Sequence, residues 1–522
     1  MCAAGATNSI YRRAKSDIWL AIPPAHCACG MEIIMRVTEG LEPEAVFEYF
    51  EKICSIPHDS YNEKQLSDYC VSFAKEHGLE YYQDDLYNVI IIKEASEGYE
   101  DHEPVIIQGH LDMVCEKTAD TEIDFRKDGL KLAIDNGFLH ATGTTLGGDD
   151  GIAVAYALAI LASDSISHPR LEVVFTVSEE TGMEGAGGID ISMLKGHMLL
   201  NIDSEEEGCI LTSCAGGSHV SCTLDAGTHK PDESDVFYRI TIDGLTGGHS
   251  GCEIDKGRAN ADVLMARLLL MLAGDADTGI AELSGGRKDN AIPTSSQAVI
   301  CCDAGENAKL QGTLNEFTQI IKDEYRSTDP GLSVRLEKFD NNGLTEQYGT
   351  VTQAGQTQRI ASFITALPYG VIAMSHDMPG MVETSLNLGV MNYSDGRLEL
   401  GYLLRSSKES SLDYLETKMQ CVAGAFGAEC EISARYPAWE YAADSKLRQC
   451  MIETYHDMFG RDMKVESIHA GVECGILSAK AGGLDCVSFG PDILDIHTPQ
   501  ERLDIASAKR TWDYLLEVLK RL

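Results

Sequence analysis

A chain of 522 residues is too long for one ordinary core, and with 44% hydrophobic and 24% charged residues it can bury two or three. A formal net charge of −40 argues against nucleic acid or an anionic membrane as partner, and no apolar run approaches the ~18 residues that a membrane span needs. The 17 cysteines are scattered without a CxxC pair, Cys27/Cys29 and Cys301-Cys302 being the nearest groupings, which speaks for a reducing compartment and buried thiols, not a disulfide framework or a thiolate zinc site.

Residues 1–40 differ in texture from the rest. MCAAGATNSIYRRAKSD is basic and rich in small residues, and the apolar piece in DIWLAIPPAHCACG is cut by Pro23-Pro24, too short for a secretory signal. The segment reads as a disordered extension or a start set too early, with Met31 and Met35 as alternative starts. From Glu42 the pattern becomes regular. Val46, Phe47, Phe50 and Ile53 recur at helical spacing, and NEKQLSDYCVSFAKEHG predicts a second helix closing on Gly78. Strands follow at NVIIIK and PVIIQGH, and the Gly-rich turn GTTLGGDDG enters the apolar helix GIAVAYALAILAS. Strand LEVVFTV, a short helix near residues 189–194 and strand HMLLNID continue the alternation, which predicts a three-layer α/β domain over residues 41–215.

Near residues 215–236 the texture changes. Strands VFYRITIDGL, SQAVICCD, LSVRLEKF, ETSLNLGVM, RLELGYLLR and CEISARY are interleaved with helices at residues 259–272 and 357–367, in LQGTLNEFTQIIKDEY and in SLDYLETKMQCVAGAFG. This α+β run, residues 216–436, reads as a second domain inserted into the first. The first resumes over residues 437–522 with helix DSKLRQCMIETYHDMFG, strand DCVSFG and the amphipathic terminal helix SAKRTWDYLLEVLKRL.

Several strands of the first domain break into acidic residues where they end, and in open α/β sheets ligands gather at such ends. In GHLDMV, His110 and Asp112 stand at i and i+2 on one side of a strand end, where a carboxylate can fix the tautomer of a ligating imidazole; without a metal the same pair is a plain hydrogen bond. GTTLGGDDG lacks the lysine of a phosphate loop, so a nucleotide reading fails. Its glycines let the backbone bring Asp149 close to a ligand, and an ordinary Asp N-cap would explain one of the two aspartates but not both. Glu179-Glu180, directly after LEVVFTV, would repel each other unless a cation or shared proton compensates, so one can ligate while its neighbour handles protons. Asp203 ends strand LLNI, whereas Glu206 and Glu207 behind it read as solvated loop. His497 sits in a loop before the last helix, and its weight depends on the rest of the set. Histidine with several carboxylates suits a hard or borderline divalent ion.

GHLDMV, GTTLGGDDGI, SEETGMEGA, NIDSEEEG, GGHSG, RKDNAIP, HAGVECG and IHTPQE, in this order over residues 41–522, resemble the aminoacyl-histidine dipeptidase family. These are cytosolic dipeptidases that include bacterial carnosinases, within a wider clan of di-zinc aminopeptidases, carboxypeptidases and aminoacylases. The resemblance implies an α/β, three-layer di-zinc exopeptidase-type catalytic domain with an inserted α+β lid and dimerisation domain. It also implies two zinc ions per subunit, cobalt or manganese suiting the ligands too. One ion would be held by His110 and Asp203, the other by Glu180 and His497, with Asp149 bridging and a cis peptide bond after it. Asp112 would orient His110, and Glu179 would be general base for a metal-bridging water.

In the inserted domain, His249 of GGHSG resembles the lid histidine that reaches the other subunit's site and steadies the oxyanion. Asn260 matches a position near the substrate, and Arg405 in LLRSS matches the clamp for its free carboxylate. His469 and Glu473 in HAGVECG either recognise the substrate's amine, shape the pocket or support the site from behind. The implied protein is a cytoplasmic homodimer that cleaves small L-dipeptides, aminoacyl-histidines such as carnosine included. An aminoacylase or another exopeptidase of the clan is the alternative. A non-catalytic metal-binding homologue would have lost a ligand or Glu179, and none is lost.

Overall fold

The computed structural model describes residues 36–232, 234–275, 278–339 and 348–522, so most of the segment expected to be an extension lies outside the described residues. Two large sheets organise the chain. The first has eight strands in the order Glu80–Gln83, Val89–Lys93, Leu171–Thr176, Val105–His110, Met198–Asn201, Asp485–Ser488, Cys209–Cys214, Lys464–Ile468. Its centre is parallel: Val105–His110 runs with both Leu171–Thr176 and Met198–Asn201, which in turn runs with Asp485–Ser488. These central strands are near-continuous apolar runs because both faces are covered. Val105 and Ile107 face a core shared with helices Glu44–Cys54, Gly148–Ala162 and Ile505–Arg521. Ile106 and Leu199 face the other way, onto Cys474 and Leu477 of helix Glu473–Ala481. The result is a three-layer α/β arrangement. Helix Gly148–Ala162 is apolar all round because it is buried nearly all round.

The chain leaves this sheet after Cys214 and enters an antiparallel nine-stranded sheet with Gly216–Asp225, returning after Glu429–Tyr436. Helices Ala261–Asp275, Asn307–Glu324, Gln356–Ala366 and Glu409–Phe426 share one core with alternate residues of these strands, such as Val220, Cys222 and Leu224. No described helix is long and apolar enough to cross a membrane. The described cysteines form no disulfide, and most are buried.

Some elements depart from the sequence reading. No helix occupies residues 189–194; the helical turns come earlier, at Glu179–Gly182 and Glu184–Gly188. Lys480 ends the second of them by donating to the carbonyls of Ala186, Gly187 and Ile189. An unexpected four-stranded sheet joins Leu132–Asp135 and Phe138–Ala141 to Ile493–Leu494 and Arg502–Asp504. Its strands are too short to show a period in sequence, yet it fixes both ends of the loop that carries His497.

Candidate metal centre

Three strand ends and two loops converge on one place. His110 closes Val105–His110, Glu179 and Glu180 follow Leu171–Thr176 through the left-handed Ser178, and Asp203 follows Met198–Asn201. Asp149 opens helix Gly148–Ala162 beside a cis Asp149-Asp150 bond. The turn in front of it is shaped by a carboxylate. Glu501 accepts the N–H groups of Leu146 (2.7 Å), Gly147 (3.2 Å) and Gly148 (2.7 Å), so the nest of donors at this helix start is filled from within the chain. Gly147 has φ 67°, and a Cβ there would come within 2.9 Å of Met113 Sδ. Glu501 follows His497 in the same loop, so one segment supplies a candidate ligand and the support of another.

Asp149 lies at the centre. Its Oδ1 is 3.0 Å from His110 Nε2, and its Oδ2 is 3.2 Å from His497 Nε2. His497 Nε2 is also 2.9 Å from Glu180 Oε1, and His110 Nε2 is 3.9 Å from Asp203 Oδ1. Pairs of donor atoms thus come within 2.9–3.9 Å of one another, close enough for ions to be held between them. His110 Nδ1 is 3.0 Å from the carbonyl oxygen of Asp112 and 3.5 Å from its Oδ1, which leaves Nε2 for the cluster. The Asp112 carboxylate also accepts from Ser60 Oγ (2.8 Å) and from the N–H groups of Glu179 (3.0 Å) and Glu180 (3.2 Å). It therefore ties down the backbone of the glutamate pair, while the imidazole is met at 3.0 Å by the Asp112 main-chain carbonyl.

Carboxylates outnumber imidazoles here, and the electrostatics follow. Burial opposes charge on His110, but Asp112, Asp149 and Asp203 outweigh it and push its pKa well above the usual histidine value. His497 is pushed up to about 11, chiefly by its bonds to Asp149 and Glu180. Burial drives Asp203 up to about 7 and Glu205 up to about 8. Glu179 is raised well above the carboxylate range by burial, with Asp203, Glu473 and Glu180 acting in the same sense. Such a pocket calls for positive charge, and its donor set of histidine and carboxylate fits a divalent cation. Asp149, Asp203 and Glu205 form a further group whose ligand atoms lie within 4.8 Å of one another.

Sequence reasoning left Asp150, Glu205 and Glu501 without roles. Asp150 is buried and accepts the His110 N–H at 3.1 Å, tying the helix start to the strand end. Glu207 is a correction: it is no solvated loop residue but a partner of Arg510, through Nε (2.8 Å) and Nη2 (2.6 Å), and of Arg461 (3.0 Å). Glu206 is 59% exposed and pairs with Lys464.

His249, Arg405 and His469 form a second group around Gly251, where a Cβ would lie 3.1 Å from His249 Cε1, 3.1 Å from Arg405 Nε and 2.1 Å from the His469 carbonyl oxygen. His249 Nδ1 accepts the N–H groups of Gly251 (3.2 Å) and Cys252 (3.1 Å), so the ring proton sits on Nε2. Burial, helped by Arg405, lowers the pKa of His249, and the same causes push His469 down to about 3. Arg405 Nη1 donates to Tyr436 Oη at 3.0 Å, while its Nε has no hydrogen-bond partner among the described residues. Asn260 is committed within the protein: Nδ2 donates to the carbonyl oxygen of Leu388 (2.7 Å), and Oδ1 accepts from Asp262 N (2.9 Å) and Val263 N (3.2 Å) as a helix cap.

Residues 106–521 match peptidase family M20/M25/M40. The chain is 38% identical over 488 residues to the cytosol non-specific dipeptidase of Escherichia coli (strain K12), covering 94% of this chain and 99% of that protein. It is similar to the crystal structure of aminoacylhistidine dipeptidase from Vibrio alginolyticus, with a TM-score of 0.85 at 36% identity over 93% of this chain and 98% of that one. The structure of aminopeptidase PepT from Bacillus cereus shares the fold, with a TM-score of 0.53 at 14% identity over 92% of this chain and 98% of that one.

Proposed function

The chain belongs to peptidase family M20/M25/M40, and from that premise we propose that it is a metal-dependent dipeptidase acting on small L-dipeptides, aminoacyl-histidines included. The observation that carries this reading is Asp149, whose two carboxylate oxygens each face a different imidazole. On this reading His110 and Asp203 would hold one ion, Glu180 and His497 the other, and Asp149 would serve both. Zinc suits the set best, and cobalt and manganese also fit. Bound there, two ions would supply an acidified water and a Lewis acid for the scissile carbonyl.

Glu179 takes the proton of the attacking water and returns it to the leaving amine. Burial and the carboxylates around Glu179 raise its pKa, and ions bound beside it would pull in the opposite sense. His249 offers an uncharged Nε2–H to the oxyanion, in a homodimer across to the other subunit's site. Arg405, with an unused donor, clamps the substrate's terminal carboxylate. The reading places the protein in the cytoplasm.

Hydrolysis of dipeptides, tripeptides and N-acetyl amino acids tests it, with protein stripped of metal and then supplied with zinc, cobalt or manganese. Metal-dependent cleavage confined to dipeptides is the expected result. Cleavage of acylated amino acids instead would move the protein to the aminoacylase branch, and no turnover in any arm would refute an enzyme.

A further inference from the structure

We propose that Glu473 is a positioning residue that locks the three ligand-bearing strand ends to one another and thereby sets the metal affinity of the site. The inference rests on the metal-site reading above. Gln108 precedes His110 by two residues and Asn201 precedes Asp203 by two, so each shares a side of the sheet with its ligand. Thr176 ends the strand that leads to Glu179-Glu180. Gln108, Thr176, Asn201 and Glu473 are all completely buried.

Their side chains form one network. Asn201 Nδ2 donates to Gln108 Oε1 at 2.6 Å, and Gln108 Nε2 donates to Thr176 Oγ1 at 3.2 Å and to Glu473 Oε2 at 2.5 Å. The Thr176 hydroxyl donates to the same Glu473 oxygen at 2.6 Å. One carboxylate oxygen, brought in by the first residue of helix Glu473–Ala481, thus collects donors from two strands and reaches the third through Gln108.

The position of the network explains its use. Backbone pairing between Val105–His110 and Met198–Asn201 stops at Gln108 and Asn201, short of both His110 and Asp203. Beyond that point, among the described residues, the Ile202 N–H to the Gln108 carbonyl oxygen (3.0 Å) alone continues the ladder. The amide link between Gln108 and Asn201 is therefore a last tie between the two strands before their ligands, and Glu473 holds it against Thr176. Three buried polar side chains on these strands and a buried carboxylate on the helix packed against them are a poor device for stability alone, since apolar groups of the same shape do as well. Residues that support metal ligands in this way change affinity when removed.

The test uses apo-protein of the wild type, Glu473→Ala, Glu473→Gln and Thr176→Val. Each is titrated with Zn2+ and Co2+ against a chromophoric chelator, and the visible spectrum of the cobalt-loaded protein is recorded. Glu473→Ala should weaken binding by about 10–100-fold and alter the cobalt bands, while Glu473→Gln, which keeps an acceptor oxygen, should stay within about threefold of wild type. Thr176→Val, an isosteric change, should cost about two- to tenfold. A folded Glu473→Ala with wild-type affinity and spectrum overturns the inference, and so does a Gln variant as weak as the Ala variant. If Glu473→Ala does not fold, Thr176→Val decides, and unchanged affinity there overturns it. Turnover plays no part in this measurement, so failure of the dipeptidase reading would appear separately, as metal-loaded wild type that cleaves nothing.

Discussion

Glu179 and Glu180 are adjacent and chemically identical, and their surroundings divide the work between them. Glu180 Oε1 faces His497 at 2.9 Å, whereas among the described residues no hydrogen bond or ion pair joins Glu179 to an imidazole, and burial and its carboxylate neighbours raise it against the pull of His110. Glu179→Gln should therefore lower kcat about 10²–10⁴-fold while the bound metal, counted by elemental analysis, stays at the wild-type level. Loss of metal in that variant would make Glu179 a ligand instead. The residues legible in sequence were those whose type is itself a signal, such as a histidine at a strand end or two aspartates where a cap needs one. Glu501 was not, nor was the particular task of Asp150, because both accept backbone N–H groups, which leaves no signature of type. Glu207 looked like part of a solvated run because its partner Arg510 lies far along the chain.

At the scale of elements, the Gly-rich turn depends on Glu501 from the His497 loop. Glu501→Gln would set an NH2 group against donors of the turn, and a fall of about 2–3 kcal/mol in unfolding free energy is expected by denaturant titration. No change would mean that the glycines alone define the turn. In the inserted α+β region, helix Ala261–Asp275 buries Asp262 completely, beside the Ser296 hydroxyl. Burial pushes it up to about 7 from an ordinary 3.8. The unfolded chain ionises first as pH rises and so binds fewer protons than the folded one. Stability is then lost between about pH 4 and 7, by roughly 4 kcal/mol in all. Asp262→Asn should have a higher Tm than wild type at pH 8, with the gap closing towards pH 4; a gap independent of pH would contradict this. Long periodic helices and strands such as LEVVFTV were legible because burial writes a pattern into them. Strands Leu132–Asp135, Phe138–Ala141 and Lys464–Ile468 and helix Glu473–Ala481 were not, being short or rich in small residues, with their places set by distant partners.

For the whole molecule, the five candidate ligands sit at the ends of the parallel strands and in the loops beside them, while His249 and Arg405 belong to the part built on the nine-stranded sheet. Among the described residues, no hydrogen bond or ion pair links His249 or Arg405 to the five candidate ligands. Complementation tests the proposed service of His249 to another subunit's site. His249→Ala and Glu179→Ala should each be nearly inactive alone, and co-expressed heterodimers should recover part of the activity, since one intact site can then be assembled. Proven heterodimers without recovery would count against the cross-subunit role of His249.

Equilibrium metal binding distinguishes a two-ion centre organised on Asp149 from a single-ion site. Wild-type protein dialysed against zinc and counted by elemental analysis should hold two ions per chain, and folded Asp149→Ala should fail to hold a pair. A wild type that binds one ion, or an Asp149→Ala variant that keeps two at undiminished affinity, would contradict it.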